Sequence, residues 1–176
     1  MPAPARLAPF AVALGAEVLD TTPAPPPLHG PARSLLPPPE AQELATGRFI
    51  LLYDPEGSAV WNGRFRIVTY IRAQLEPEMG NDAMLGAVAW TWLVEALESH
   101  AARHHSTGGT TTRILSESYG TLEDRPDTID IELRASWSPE SSDVGPHLEA
   151  WADMVCTFAG LPPLPKGVAQ LPHRRS

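Results

Sequence analysis

A single cysteine, Cys156, stands among 176 residues, which excludes an internal disulfide and any cysteine-clustered zinc or iron–sulfur site. An oxidising compartment is not required. No run of 18 or more apolar residues occurs, so no segment has the length of a membrane-spanning helix. Lysine is reduced to Lys166 beside 12 arginines; with the wealth of Ala and Pro, this reads as GC-rich coding. Positive charge is short overall, 13 basic against 21 acidic residues for a net charge of −8, so the molecule as a whole repels phosphate polymers and anionic membranes. What remains is 43% hydrophobic and 19% charged, enough to bury a core in one unit of ordinary domain size.

Proline is abundant but uneven. Of 20 prolines, 11 fall in the first 39 residues, and Thr21 to Glu40 holds eight of them. Proline supplies no ladder donor and stiffens the chain, so residues 21 to 46 are predicted as a Pro-rich disordered insertion. The tail, 162 to 176, reads the same way. Between them a single α+β domain is expected over residues 7–161. The opening residues imitate a weak signal peptide. However, Pro9 and Glu17 interrupt the apolar stretch, and Phe10, Val12, Leu14, Ala16 and Val18 alternate as in a half-buried strand.

After the insertion the pattern is regular. Gly47 to Pro55 and Gly63 to Leu75 are β-rich runs joined as a hairpin. A helix is predicted from Asn81 or Asp82 to about Ala102, then a β pair, Thr110 to Gly120 and Thr128 to Trp137. A last helix starts near Asp143 to Pro146 and stops at Gly160. The expected fold is a five-stranded antiparallel sheet in the order β-β-β-α-β-β-α, with two helices on one face. Ile71 to Glu78 and Leu133 to Glu140 match at Arg, Ala, Pro and Glu, as a duplicated ββα unit would.

In Thr128 to Trp137, Ile129, Ile131, Leu133, Ala135 and Trp137 share one face, and Asp130, Glu132, Arg134 and Ser136 the other. In Gly63 to Leu75, Phe65, Ile67, Thr69, Ile71, Ala73 and Leu75 point inward, leaving Arg64, Arg66, Tyr70, Arg72 and Gln74 outward. The outer face is thus arginine-rich, although Asp130 and Glu132 neutralise part of it. The last helix carries an ordinary stripe, Leu148, Trp151, Ala152, Val155 and Phe158. The helix Asp82 to Ala102 is apolar over roughly 200°, about twice what one core needs. It is therefore either sunk in its own domain or covered by a second protein, with Trp90 and Val94 as contacts.

No catalytic motif is assembled. His100 and His104 at i and i+4 of a helix end have zinc-binding spacing but no third ligand. The acid pairs Asp54/Glu56, Glu76/Glu78 and Glu123/Asp124 sit at turns beside Pro or Gly. Cys156 is mid-helix, Ser116, Ser118, Ser136 and Ser138 lack a nucleophile-elbow context, and Gly108-Gly109 precedes a strand where a phosphate loop needs a helix.

The strings GRFILLYDPEG, FRIVTYIRAQLEPEM, WTWLVEALESH, IELRASWSP and HLEAWADMVCTFAGLPPLP resemble an actinobacterial family labelled domain of unknown function three thousand. The resemblance covers about Leu7 to Pro165 apart from the proline insertion. It implies a bacterial cytoplasmic protein and carries no activity to transfer. Family members usually begin with an extra amphipathic helix and have a shorter segment between Val18 and Gly47. With that helix restored, the topology is similar to that of secretion-chaperone-like proteins, which implies a homodimer holding another polypeptide. The expected function is a non-catalytic protein-interaction or chaperone-like module. It would have no cofactor or metal, an unidentified protein partner and a homodimer contact through the helix Asp82 to Ala102. Candidate contacts are Arg64, Arg66, Tyr70, Arg72, Arg134, Trp90 and Val94. A small enzyme, or an RNA-binding protein using the arginine face, is the alternative.

Overall fold

The computed structural model describes residues 7–20, 42–75 and 83–163. Strands β1 (Phe10–Asp20), β2 (Gln42–Ser58) and β3 (Gly63–Leu75) form an antiparallel meander, followed by helix α1 (Leu85–Ser99). Strands β4 (His104–Ser116) and β5 (Thr128–Pro139) and helix α2 (Gly145–Phe158) complete the fold. The five strands lie in the order β1-β2-β3-β5-β4, every neighbouring pair antiparallel. This is the α+β class expected from the sequence. Among the described residues no helix is long and apolar enough to cross a membrane.

Strict alternation fixes the register of the centre. Ile67, Thr69, Ile71 and Ala73 of β3 pair with Trp137, Ala135, Leu133 and Ile131 of β5, and all eight are buried on the face that carries the helices. A slip of one residue would turn this entire set to water, so the pairing is strongly specified. The helices close the layer with Leu85, Ala89, Leu93 and Leu97 of α1 and Ala150, Trp151, Met154, Val155 and Phe158 of α2. Ala152, expected in the stripe of α2, is exposed, and His147 takes a buried place instead. Buried His147 Nδ1 accepts a hydrogen bond from Trp137 Nε1 at 3.0 Å.

Three boundaries differ from expectation. Residues 42–46 of the proline insertion are the first part of β2, with Ala45 buried; the remainder of that segment, like Asn81, Asp82, Glu76, Glu78 and most of the tail, lies outside the described residues. Helix α1 is shorter than Asp82 to Ala102. It stops because Ala101 adopts a left-handed φ of 53°, while Ala102 N–H returns to the Leu97 carbonyl and Ala101 N–H to that of Glu98. That is a Schellman-type stop built on alanine rather than glycine. The chain then enters β4 at once, so His104, His105, Gly108 and Gly109 are strand residues. By contrast Gly160 ends α2 as expected, with φ 77° and Leu161 N–H bonded to the Cys156 carbonyl.

Helix α2 crosses the sheet diagonally. It begins where His147 meets Trp137 of β5 and reaches β2, where Trp151 packs on Phe49 and Val155 lies over Gly47. A Cβ on Gly47 would stand 2.5 Å from Val155 Cγ2 and 2.9 Å from the Trp151 ring, so the close approach of this helix requires glycine there. The diagonal leaves one corner of the helix-bearing face, at the Phe10 end of β1 and β2, without a helix above it.

Candidate functional site

The outer sheet face brings most of the predicted polar contacts together, and they bind chiefly one another. Arg72 Nη2 meets Asp130 at 2.6 Å. Glu132, 8% exposed, accepts the Tyr70 hydroxyl at one carboxylate oxygen (2.8 Å) and Arg134 Nη2 at the other (2.9 Å). The Arg134 guanidinium also lies 5.5 Å from the centre of the Tyr70 ring, a cation–π arrangement. Burial first, then the hydrogen bond to Glu132, raises the Tyr70 pKa above its usual value. The bond to Asp130 likewise raises that of Arg72.

Arg66 turns the other way along the strand. Its guanidinium donates to Ser136 Oγ (2.6 Å), Ser138 Oγ (3.2 Å) and the Ser106 carbonyl (2.8 Å), and partial burial lowers its pKa. Ser138, itself buried, donates to the Trp61 carbonyl at 2.7 Å. Arg66 thus ties the tip of the β2–β3 hairpin and β4 to β5. Arg64 is exposed beside the turn of that hairpin. Arg72 and Arg134 therefore have acidic partners, and Arg66 is held by neutral hydroxyl and carbonyl groups.

Trp90 and Val94 lie on the flank of α1 above β4. The Trp90 ring stands over Gly109, where an added Cβ would come within 2.8 Å of it and 2.7 Å of the Arg134 carbonyl. On the opposite flank Trp92 meets Phe158 edge-on at 5.7 Å. Both indoles pack within the domain, and the helix is wide in apolar surface because it serves β4 and α2 as well as the central core. Val94 is half-buried.

The histidine pair does not form. His100 caps α1 and faces α2, with Nε2 2.6 Å from Asp153 and Nδ1 3.3 Å from Glu149. His104 sits in β4, its Nδ1 2.8 Å from the Ala102 carbonyl. Among the described residues no group of three or more His, Cys, Asp or Glu side chains has the arrangement to hold a metal ion. An open groove of about 680 Å³ lies between the Gln42 end of the sheet and the end of α2, lined by Leu44, Leu75, Trp92, Asp127 and Phe158 among others.

The feature that sequence reasoning missed is the uncovered corner. Phe10, Val12 and Leu14 share a face with Ala16 and Val18, as alternation required, yet they are 60%, 57% and 42% exposed, because α2 reaches only the latter two. The half-buried strand is so only at one end. Beside them an aromatic row crosses three strands, with Phe10 and Tyr53 centroids 6.0 Å apart and Tyr53 stacked on Phe65 at 4.8 Å. The wall of this corner is the flank of α2 turned away from α1. That flank carries Leu148 and Ala152, because Glu149 and Asp153 face His100 of α1. An apolar floor, an apolar wall and an edge strand meet here.

The molecule defined by these features is a small α+β protein whose distinctive surface is an apolar sheet edge. The chain belongs to the family described as a protein of unknown function, DUF3000, whose model matches residues 1–169. No curated protein and no solved structure matches it.

Proposed function

We propose that this chain is a non-catalytic protein-interaction module of the bacterial cytoplasm, in the manner of chaperone-like proteins that hold another polypeptide. The carrying observation is the exposed row Phe10, Val12 and Leu14 on edge strand β1, continuous with the Tyr53 and Phe65 rings. A contiguous apolar patch on an edge strand is what polypeptide partners bind, and proteins otherwise blunt such edges with charge or a bulge. The other edge differs in part. β4 carries a register shift between His105 and Gly108, a positive φ at Ser106 and a run of threonines ending in Arg113, with Ile114 and Leu115 exposed only at its far end. The RNA-binding alternative is weakened by the ion pairs of Arg72 with Asp130 and Arg134 with Glu132.

A photo-crosslinking residue placed at position 12 in the native bacterium tests the reading. Val12 is expected to give discrete protein adducts, whereas position 112 on β4 gives none. Absence of adducts at position 12, or equal labelling at both, contradicts the proposal.

A further inference from the structure

We propose that β1 is occupied by β1 of a second copy of this chain, paired antiparallel about a twofold axis at Ala13, so that the two sheets join into one of ten strands. The inference rests on the interaction-module reading and names its partner. In this register Phe10 lies opposite Ala16, and Val12 opposite Leu14, of the other copy. Phe10, Val12, Leu14 and Ala16 of both copies then stay on the helix-bearing face, because paired residues of an antiparallel ladder point to the same side. Phe10, the largest of them, meets Ala16. Glu17 falls opposite Pro9, so no like charges meet, and the bulge between Val18 and Leu19 lies beyond the paired stretch.

The wall fits as well. Ala16 pairs with Gly47, which is the residue beneath Trp151 and Val155 of α2. Each Phe10 ring would thus be carried to the Ala16 end of the other copy. There it stands beside that copy's helix, whose flank in this direction is Leu148 and Ala152. The exposed rings fill the trough between two symmetry-related α2 helices, an isologous contact closed by one axis.

The proline-rich segment between β1 and β2 serves this edge poorly. Residues 21–41 contain eight prolines and so few ladder donors. They are also tethered at both ends to the Asp20–Gln42 pair. Phe10 is ten residues along β1, about 33 Å at strand rise, and half of a 21-residue loop spans only about that distance when fully extended.

Sedimentation of the full chain over a concentration series is expected to show a reversible species of twice 19.0 kDa. Val12→Lys and Ala152→Glu, both at exposed positions, should each weaken the association about tenfold or more with an unchanged circular-dichroism melt. Thr112→Lys on β4 should leave it intact. In a Cys156→Ala background, Ala13→Cys should give a disulfide-linked dimer on oxidation and Leu19→Cys should not. A wild type that is monomeric throughout overturns the second-copy occupant, as does a dimer indifferent to Val12→Lys. If position 12 meanwhile crosslinks to a different protein in cells, the module reading stands and only the occupant is wrong.

Discussion

His147 shows what one buried side chain dictates. Its ring is 2% exposed, and its Nδ1 accepts from Trp137 Nε1, so the neutral tautomer carries its proton on Nε2. Burial first, then the nearby His104, lowers its pKa below the usual 6.5, with Asp143 opposing. A group with a depressed folded-state pKa binds its proton more readily when unfolded. Its contribution to stability is therefore complete above about pH 6.5 and is lost as pH falls through the folded pKa. The unfolding free energy is expected to decline with acidity from about pH 6.5 downward, and His147→Gln, which retains an acceptor, should flatten that decline. An unchanged slope in the variant would assign the acid sensitivity elsewhere.

Tyr70 gives the opposite sign. Its raised pKa means that its stabilising hydrogen bond to Glu132 is present below the ordinary phenol value and is lost as pH rises through the folded one. Tyr70→Phe should remove that alkaline component in denaturant titrations at high pH. The outward placement of Tyr70, Arg72 and Arg134 was legible in the sequence, since a period of two sorts side chains by face. Which of them pair was not legible, because register decides that Arg72 meets Asp130 and that Glu132 serves both Tyr70 and Arg134.

At the scale of elements, chain turns without glycine decide the boundaries. Ala101 ends α1 in a left-handed conformation that costs an L-residue about 1–2 kcal/mol. Ala101→Gly is therefore expected to stabilise the fold by about 0.5–1 kcal/mol, net of the extra freedom glycine has when unfolded, as read from the urea midpoint. The sequence ESHAARHHS is compatible with helix throughout, and helical spacing would put His104 beside His100. Nothing in the residue types announces that stop. Gly47 and Gly109 are the converse, strand glycines whose purpose appears only when Val155, Trp151 and Trp90 are brought over them. Gly47→Ala should cost about 1–3 kcal/mol by overpacking, because Val155 and Trp151 are held in the core and the strand cannot retreat from β1 and β3.

For the whole molecule the governing fact is the mismatch between a sheet with long strands at one end and two helices too short to cover it. Alternation in β1 says which face Phe10, Val12 and Leu14 take. It does not say whether a helix extends above them, because that depends on the angle at which α2 crosses. The angle in turn depends on the Gly47 approach and on Trp137 and His147. The sequence pattern therefore located apolar surplus in α1, where packing on Gly109 and Phe158 absorbs most of it, and overlooked β1. The exposed apolar corner follows from the assembled layers rather than from any one segment.

Amide hydrogen exchange along β1, followed at low and high protein concentration, tests the edge-pairing claim most directly. In an edge strand alternate N–H groups bond to β2, and the remainder face away from the sheet. The account predicts that the outward amides between Phe10 and Ala16 exchange rapidly when dilute and gain protection with concentration, while the outward amides of β4 do not change. Outward β1 amides that exchange equally fast at every concentration would contradict it, as would amides protected even at the highest dilution, which would mean that the chain covers this edge itself.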